Sequence, residues 1–173
     1  MKKILVPIDF SCEYDSIVEN AKSIAKAFNS EIRIINIVPP LPYEIRNRLE
    51  VNSVSTMGDM VGKLIGSNTY EDIRNEMARS LKSIHKKILD IKRRLLAEHL
   101  SVEAYIFEGK MEESILEEAA EYQPDMIVMG SQGHGYRFKS MVGGIYSAII
   151  KNVNCPVLVV PKQKMVHKKT KSS

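Results

Sequence analysis

Apolar residues fall along this chain in two rhythms: short unbroken runs, and longer stretches in which they recur every three or four positions. The first run, Lys3-Ile-Leu-Val-Pro-Ile8, is rich in branched residues and bounded by Asp9-Phe-Ser11. It predicts a strand buried on both faces, as in a parallel sheet, with Ser11 placed to cap the helix that follows. From Tyr14 to Phe28 the residues Ile17, Ala21, Ile24, Ala25 and Phe28 mark one apolar stripe of that helix, which should end near Asn29. Glu31-Ile-Arg-Ile-Ile-Asn-Ile-Val38 is a second strand, stopped by Pro39-Pro40.

The rhythm is lost over residues 41–66, where Gly58, Gly62 and Gly66 lie among Ser, Thr, Asn and Met. This segment reads as a mobile excursion, either a cover for whatever lies at the end of the second strand or a passive surface loop. Periodicity returns at Thr69 and Asp72, an arrangement close to a capping box, and continues through Ile73, Met77, Leu81, Ile84, Ile88, Ile91 and Leu95. At 1.5 Å per residue, about 30 residues make a helix of roughly 45 Å, so its first turns should project beyond a sheet of ordinary strands.

Val102–Phe107 is the third strand, closed by Glu108-Gly109, and Met111–Tyr122 the next helix, with Ile115, Leu116 and Ala119 inward. Asp125–Met129 is the fourth strand, 140–152 the last helix and Val157–Val160 the last strand. Strands alternating with helices predict crossover connections. The expectation is a single doubly wound α/β domain over residues 1–161, with a five-stranded, mainly parallel sheet and helices on both faces.

Charge narrows the function. The 173-residue chain carries a formal +4, but residues 162–173 hold Lys162, Lys164, Lys168, Lys169 and Lys171 with no acid, and without them the body stands at −1. The basic character belongs to a disordered tail, which argues against a specific nucleic-acid groove. No apolar run approaches the roughly 18 residues that span a bilayer, and Asp9 interrupts the apolar start too early for a leader, so no membrane insertion and a cytoplasmic location are expected. Cys12 and Cys155 lack metal-ligand spacing and are too few for a disulfide framework; both read as structural.

The chemistry lies after the fourth strand, where the glycines are spaced Gly130-x2-Gly133-x9-Gly143 and lead to Cys155-Pro-Val-Leu-Val-Val-Pro161. Glycines between a parallel strand and a helix N-terminus let backbone N–H groups approach an anion closely, which is the chemistry of a phosphate cradle. With Val6-Pro-Ile-Asp-Phe-Ser11 at the start, this pattern resembles the universal stress proteins, over residues 1–40 and 67–161. The resemblance implies the strand order 3-2-1-4-5 and a nucleotide site where that order reverses, at the carboxyl ends of the strands.

For ATP, with Mg2+ as an optional companion, it implies Asp9 on the ribose hydroxyls beside Pro7 and Ile8, and Ile37 as an apolar wall for adenine. Gly130 and Gly133 would present backbone N–H groups to the phosphates, with Gly143 and Gly144 beside the terminal ones; His134 could touch phosphate, and Met129 and Ile145 are further candidate contacts. From the residues alone, other roles stay open: Asp9 as a helix cap, Ile37 and Met129 as plain core, the glycines as a tight connection, and His134 as a solvent-facing loop residue.

Family members that bind nucleotide have Ser or Thr where this chain has Gly144. A missing hydroxyl donor to a charged oxygen is worth roughly 1.5–3 kcal/mol, about ten- to a hundredfold, so weakened binding is expected. The resemblance also implies a homodimer through residues 156–160, an apolar strand at a sheet edge.

Support for catalysis is thin. Gly58-Asp-Met-Val-Gly-Lys63 has the wrong spacing for a phosphate loop, and His85 and His99 have no partner at ligand spacing. The expected function is a dimeric, ATP-binding stress-response regulator and not an enzyme, with slow ATP hydrolysis left open. The alternative is a nucleotide-independent interaction or chaperone-like dimer with a degenerate site.

Overall fold

A computed structural model of the chain describes residues 1–10, 14–40, 70–131 and 145–161. In chain order the elements are β1 (Lys3–Pro7), α1 (Tyr14–Phe28), β2 (Glu31–Val38), α2 (Tyr70–Ala97), β3 (Val102–Glu108), α3 (Met111–Tyr122), β4 (Met126–Gly130), α4 (Ile145–Asn152) and β5 (Val157–Val160). The sheet order is β3-β2-β1-β4-β5, and every pairing is parallel, as expected. The excursion at 41–66, the tail at 162–173, Ser11 and Cys12 lie outside the described residues. No helix among the described residues is long and apolar enough to cross a membrane.

Strand side chains alternate between two faces. Ile4, Val6, Ile32, Ile34 and Val128 meet α1 through Ile17, Val18, Ala21 and Ala25, and α2 through Ile88, Ile91 and Leu95. Leu5, Ile35, Ile37, Ile127 and Met129 meet α3 through Ile115 and Tyr122, and α4 through Ile149. Each central strand is thus covered twice, which is why its sequence is apolar without alternation.

Two expected inward positions point elsewhere. Phe28 is 59% exposed, and Val18, outside the expected stripe, is buried. Phe28 is the last helical residue; Asn29 follows in the left-handed conformation at φ 52°, and the Ser30 N–H bonds to the Ala25 carbonyl at 3.0 Å. That turn swings the chain into β2 and leaves Phe28 beyond the sheet. Leu81 is 44% exposed for the reason its helix length implied: the buried residues of its stripe, Ile88, Ile91 and Leu95, fall in the last three turns of α2 and pack on the strands.

The amino ends of the strands are closed by polar bonds. Arg33 on β2 donates to Glu103 on β3 at 2.5 Å and to Glu118 on α3 at 2.8 Å, and its guanidinium lies 3.9 Å from the Tyr122 ring centroid. The Tyr122 hydroxyl donates to Glu31 at 3.0 Å. The Asp125 carboxylate accepts the backbone N–H groups of Lys2 and Lys3 at 2.5 and 2.9 Å, tying the start of β4 to the start of β1.

Candidate functional site

The strand order reverses between β1 and β4, and the residues there are built from three directions. β1 ends at Pro7, but β2 holds the next residue as well. The buried Ile8 donates its N–H to the Ile35 carbonyl at 2.9 Å, and its carbonyl accepts from Asn36 Nδ2 at 2.7 Å. Half-buried Asp9 follows. Phe10 then takes a left-handed backbone, φ 56°, which for an aromatic residue costs on the order of 1–3 kcal/mol and persists only where the surroundings hold it. They do: its ring packs edge-to-face on Tyr14 at 5.0 Å and against the α1–α2 core, and the Lys87 ammonium lies 5.5 Å from its centroid.

From β2 comes Ile37, 8% exposed, and from β4 come Met129, 5% exposed, and Gly130. Ile37 and Met129 belong to the core on the α3–α4 face, so their apolar character serves the fold as well as any ligand. Ile145 and Tyr146 open α4 and pack on that same core. The Tyr146 hydroxyl donates to the Gly130 carbonyl, joining the start of α4 to the end of β4. Burial pushes this phenol above the ordinary tyrosine range, and the nearby Asp9 carboxylate adds to the rise. Asp9, Gly130 and Tyr146 therefore meet at the switch point. Gly133, His134, Gly143 and Gly144 lie outside the described residues.

The sequence reading missed Asn36, Phe10 and Tyr146. Asn36 is 2% exposed, and its Oδ1 is buried without a hydrogen-bond partner among the described residues. An asparagine inside the otherwise apolar Ile34-Ile-Asn-Ile-Val38 was the available signal, and a tyrosine two residues after the glycine pair was the other.

A separate cleft of about 480 Å³ opens at the other end of the sheet between α3 and α4, lined by Ala119, Gln123, Pro124, Asn152 and Cys155 among others. Burial there, with a contribution from Asp125, raises the Cys155 thiol above its usual range, so the described cysteine is a poor nucleophile. None of the expected site residues lies in it.

The family model described as the universal stress protein family matches residues 1–161. The chain belongs to the universal stress protein family. Universal stress protein MJ0531 of Methanocaldococcus jannaschii is 30% identical over 165 residues, covering 94% of this chain and 84% of that protein. The solved structure of MJ0577, from the same organism, superposes with a TM-score of 0.66 at 24% identity, covering 94% of this chain and 97% of that one. A universal stress protein crystallised in complex with cAMP superposes at 0.59 with 19% identity, covering 92% and 96%. These last two likenesses concern the fold, and they agree with the strand order seen here.

Proposed function

We propose that this universal stress protein is a regulator that binds an adenine nucleotide, ATP in the first instance, at the switch point between β1 and β4. The observation that carries the reading is the convergence of a half-buried carboxylate, Asp9, with the apolar ends of β2 and β4 and with the Tyr146-anchored Gly130. The residues fit such a ligand. Asp9 accepts hydrogen bonds from ribose hydroxyls, Ile37 and Met129 offer an apolar wall to a base, and Asn36 Oδ1, buried with no partner among the described residues, lies at the same end of the sheet. On the sequence spacing, phosphates fall to the backbone N–H groups of Gly130 and Gly133 and to the Gly143-Gly144 step. That a relative was crystallised with cAMP supports the adenine half of the reading.

In this reading the ligand biases a conformational or assembly equilibrium in the cytoplasm, and chemistry is slow or incidental. The assembly is a homodimer in which β5 pairs with its copy: β5 ends the sheet, Val159 on it is 36% exposed, and Ile150 on α4 is 55% exposed. Light scattering at tens of micromolar should give twice the monomer mass; a monomer mass removes the dimer from the proposal.

Calorimetric titration of nucleotide-free protein with ATP and magnesium tests the site. Saturable binding, weakened about tenfold or more in Asp9→Ala, is the expected result. Heat changes absent up to millimolar ATP would make the degenerate-site, partner-binding dimer the better account.

A further inference from the structure

We propose that Asn36 is a positioning residue for the nucleotide site: its buried amide fixes the turn that presents Asp9, although its Oδ1 is left without a partner among the described residues. This rests on the nucleotide-binding reading above and extends it to a residue that need not touch the ligand.

The geometry is a clamp with Asp9 in its jaws. On one side, Ile8 lies beyond the end of β1 yet is pinned at both its backbone groups, the N–H by Ile35 and the carbonyl by Asn36 Nδ2. On the other side, Phe10 is locked in the left-handed region, with its ring packed against Tyr14 and the α1–α2 core. A residue with both neighbours fixed has little backbone freedom of its own, so its carboxylate is preorganised for whatever it binds. Remove the Asn36 bond and the Ile8 carbonyl is released, leaving one jaw with half its hold.

The second observation is what Asn36 costs. Donation by Nδ2 to a carbonyl fixes the amide, since a half-turn would set oxygen against oxygen, and the fixed orientation leaves Oδ1 buried with no partner among the described residues. A leucine at this position would fill similar space on a strand whose other core-facing residues are isoleucine, and would exchange one unpaired acceptor, Oδ1, for another, the Ile8 carbonyl, so that the core gains little from the amide. A residue whose net worth to the core is small, and whose one hydrogen bond holds the turn at the candidate site, is better explained by the site than by the core.

The test is a titration of wild type, Asn36→Leu, Asp9→Ala and the double variant with ATP and with 2′,3′-dideoxy-ATP, which offers Asp9 no ribose hydroxyl. Expected for Asn36→Leu is a melting temperature close to wild type, an ATP affinity down about tenfold, and an unchanged affinity for dideoxy-ATP. In the Asp9→Ala background the same substitution should add almost nothing. Three results would overturn the inference while leaving the nucleotide site intact: ATP binding equal to wild type, equal losses for both nucleotides, or full additivity with Asp9→Ala. If Asn36→Leu fails to fold, Asn36→Val takes its place with the same expectations.

Should wild type bind no ATP, the nucleotide reading falls and the clamp is read by amide hydrogen exchange in the unliganded protein. Exchange at Asp9 and Phe10 about tenfold faster in the variant, with the core strands unchanged, supports it; equal exchange overturns it.

Discussion

The two ends of the parallel sheet treat their polar groups in opposite ways. At the amino ends, Arg33 has Glu103, Glu118 and the Tyr122 ring, Tyr122 has Glu31, and Asp125 has two backbone N–H groups. At the carboxyl ends, a buried asparagine oxygen has no partner among the described residues and an aromatic residue sits in a left-handed backbone. Buried polar groups are nearly always paired in folded proteins, so the pairs at the amino ends serve the fold, and a buried oxygen left without a partner among the described residues at the other end points to a further role. The difference predicts a separation: amino-end substitutions should lower stability and spare nucleotide affinity, and carboxyl-end substitutions such as Asp9→Ala should weaken nucleotide binding with smaller losses of stability.

The largest effect expected is that of Glu118→Ala. Glu118 is 6% exposed and accepts from Arg33 at 2.8 Å, so its removal leaves a guanidinium largely out of water with Glu103 as its remaining carboxylate among the described residues. Breaking a buried pair from one side costs about 3 kcal/mol, which a urea-unfolding midpoint would read directly. ATP affinity should not move; if it does, the two ends are coupled through β2 and the separation fails.

Tyr122→Phe should follow at roughly 1.5 kcal/mol, the loss of a hydroxyl bond to a charged partner. Burial first, and then that bond to Glu31, hold the Tyr122 phenol above the ordinary tyrosine range, so it stays a donor across the working pH range. Tyr146→Phe should cost less, about 1 kcal/mol, because its acceptor is the neutral Gly130 carbonyl and both groups are half-buried. The comparison sharpens here: the Tyr146 change should also weaken ATP binding, while the Tyr122 change should not. Equal affinities in the two variants would remove Tyr146 from the site.

Much of this contrast was written in local sequence, and part of it was not. The strands were legible because burial on both faces forces unbroken apolar runs, and α1, α3 and β5 end where expected because Asn29, Pro124 and Pro161 follow them closely. Asp9, Ile37 and Gly130 were legible as strand ends. Phe28 and Leu81 were misplaced because periodicity reports which side of a helix is apolar, not how far the sheet beneath it reaches. A helix of 28 residues spans about 42 Å and a strand of seven about 23 Å. Asn36 and Tyr146 were missed because their partners lie 28 and 16 residues away, and a hydrogen bond across elements leaves no local mark.

The smallest effect belongs to Asp125, and its value lies in its pH dependence. Backbone N–H groups of Lys2 and then Lys3 hold this exposed carboxyl below the usual aspartate range. A group whose folded pKa is depressed stabilises the protein above its unfolded value and loses that contribution as the pH falls through the folded one. Asp125→Asn keeps an acceptor oxygen for the same N–H groups and removes only the charge. Wild type should therefore be slightly more stable than Asp125→Asn near neutrality, and the gap should close as urea unfolding is repeated below about pH 4, where the unfolded carboxyl is protonated. A gap that persists unchanged at low pH would mean that the carboxylate's charge contributes nothing at the amino end, and that the saturation seen there is geometry without electrostatics.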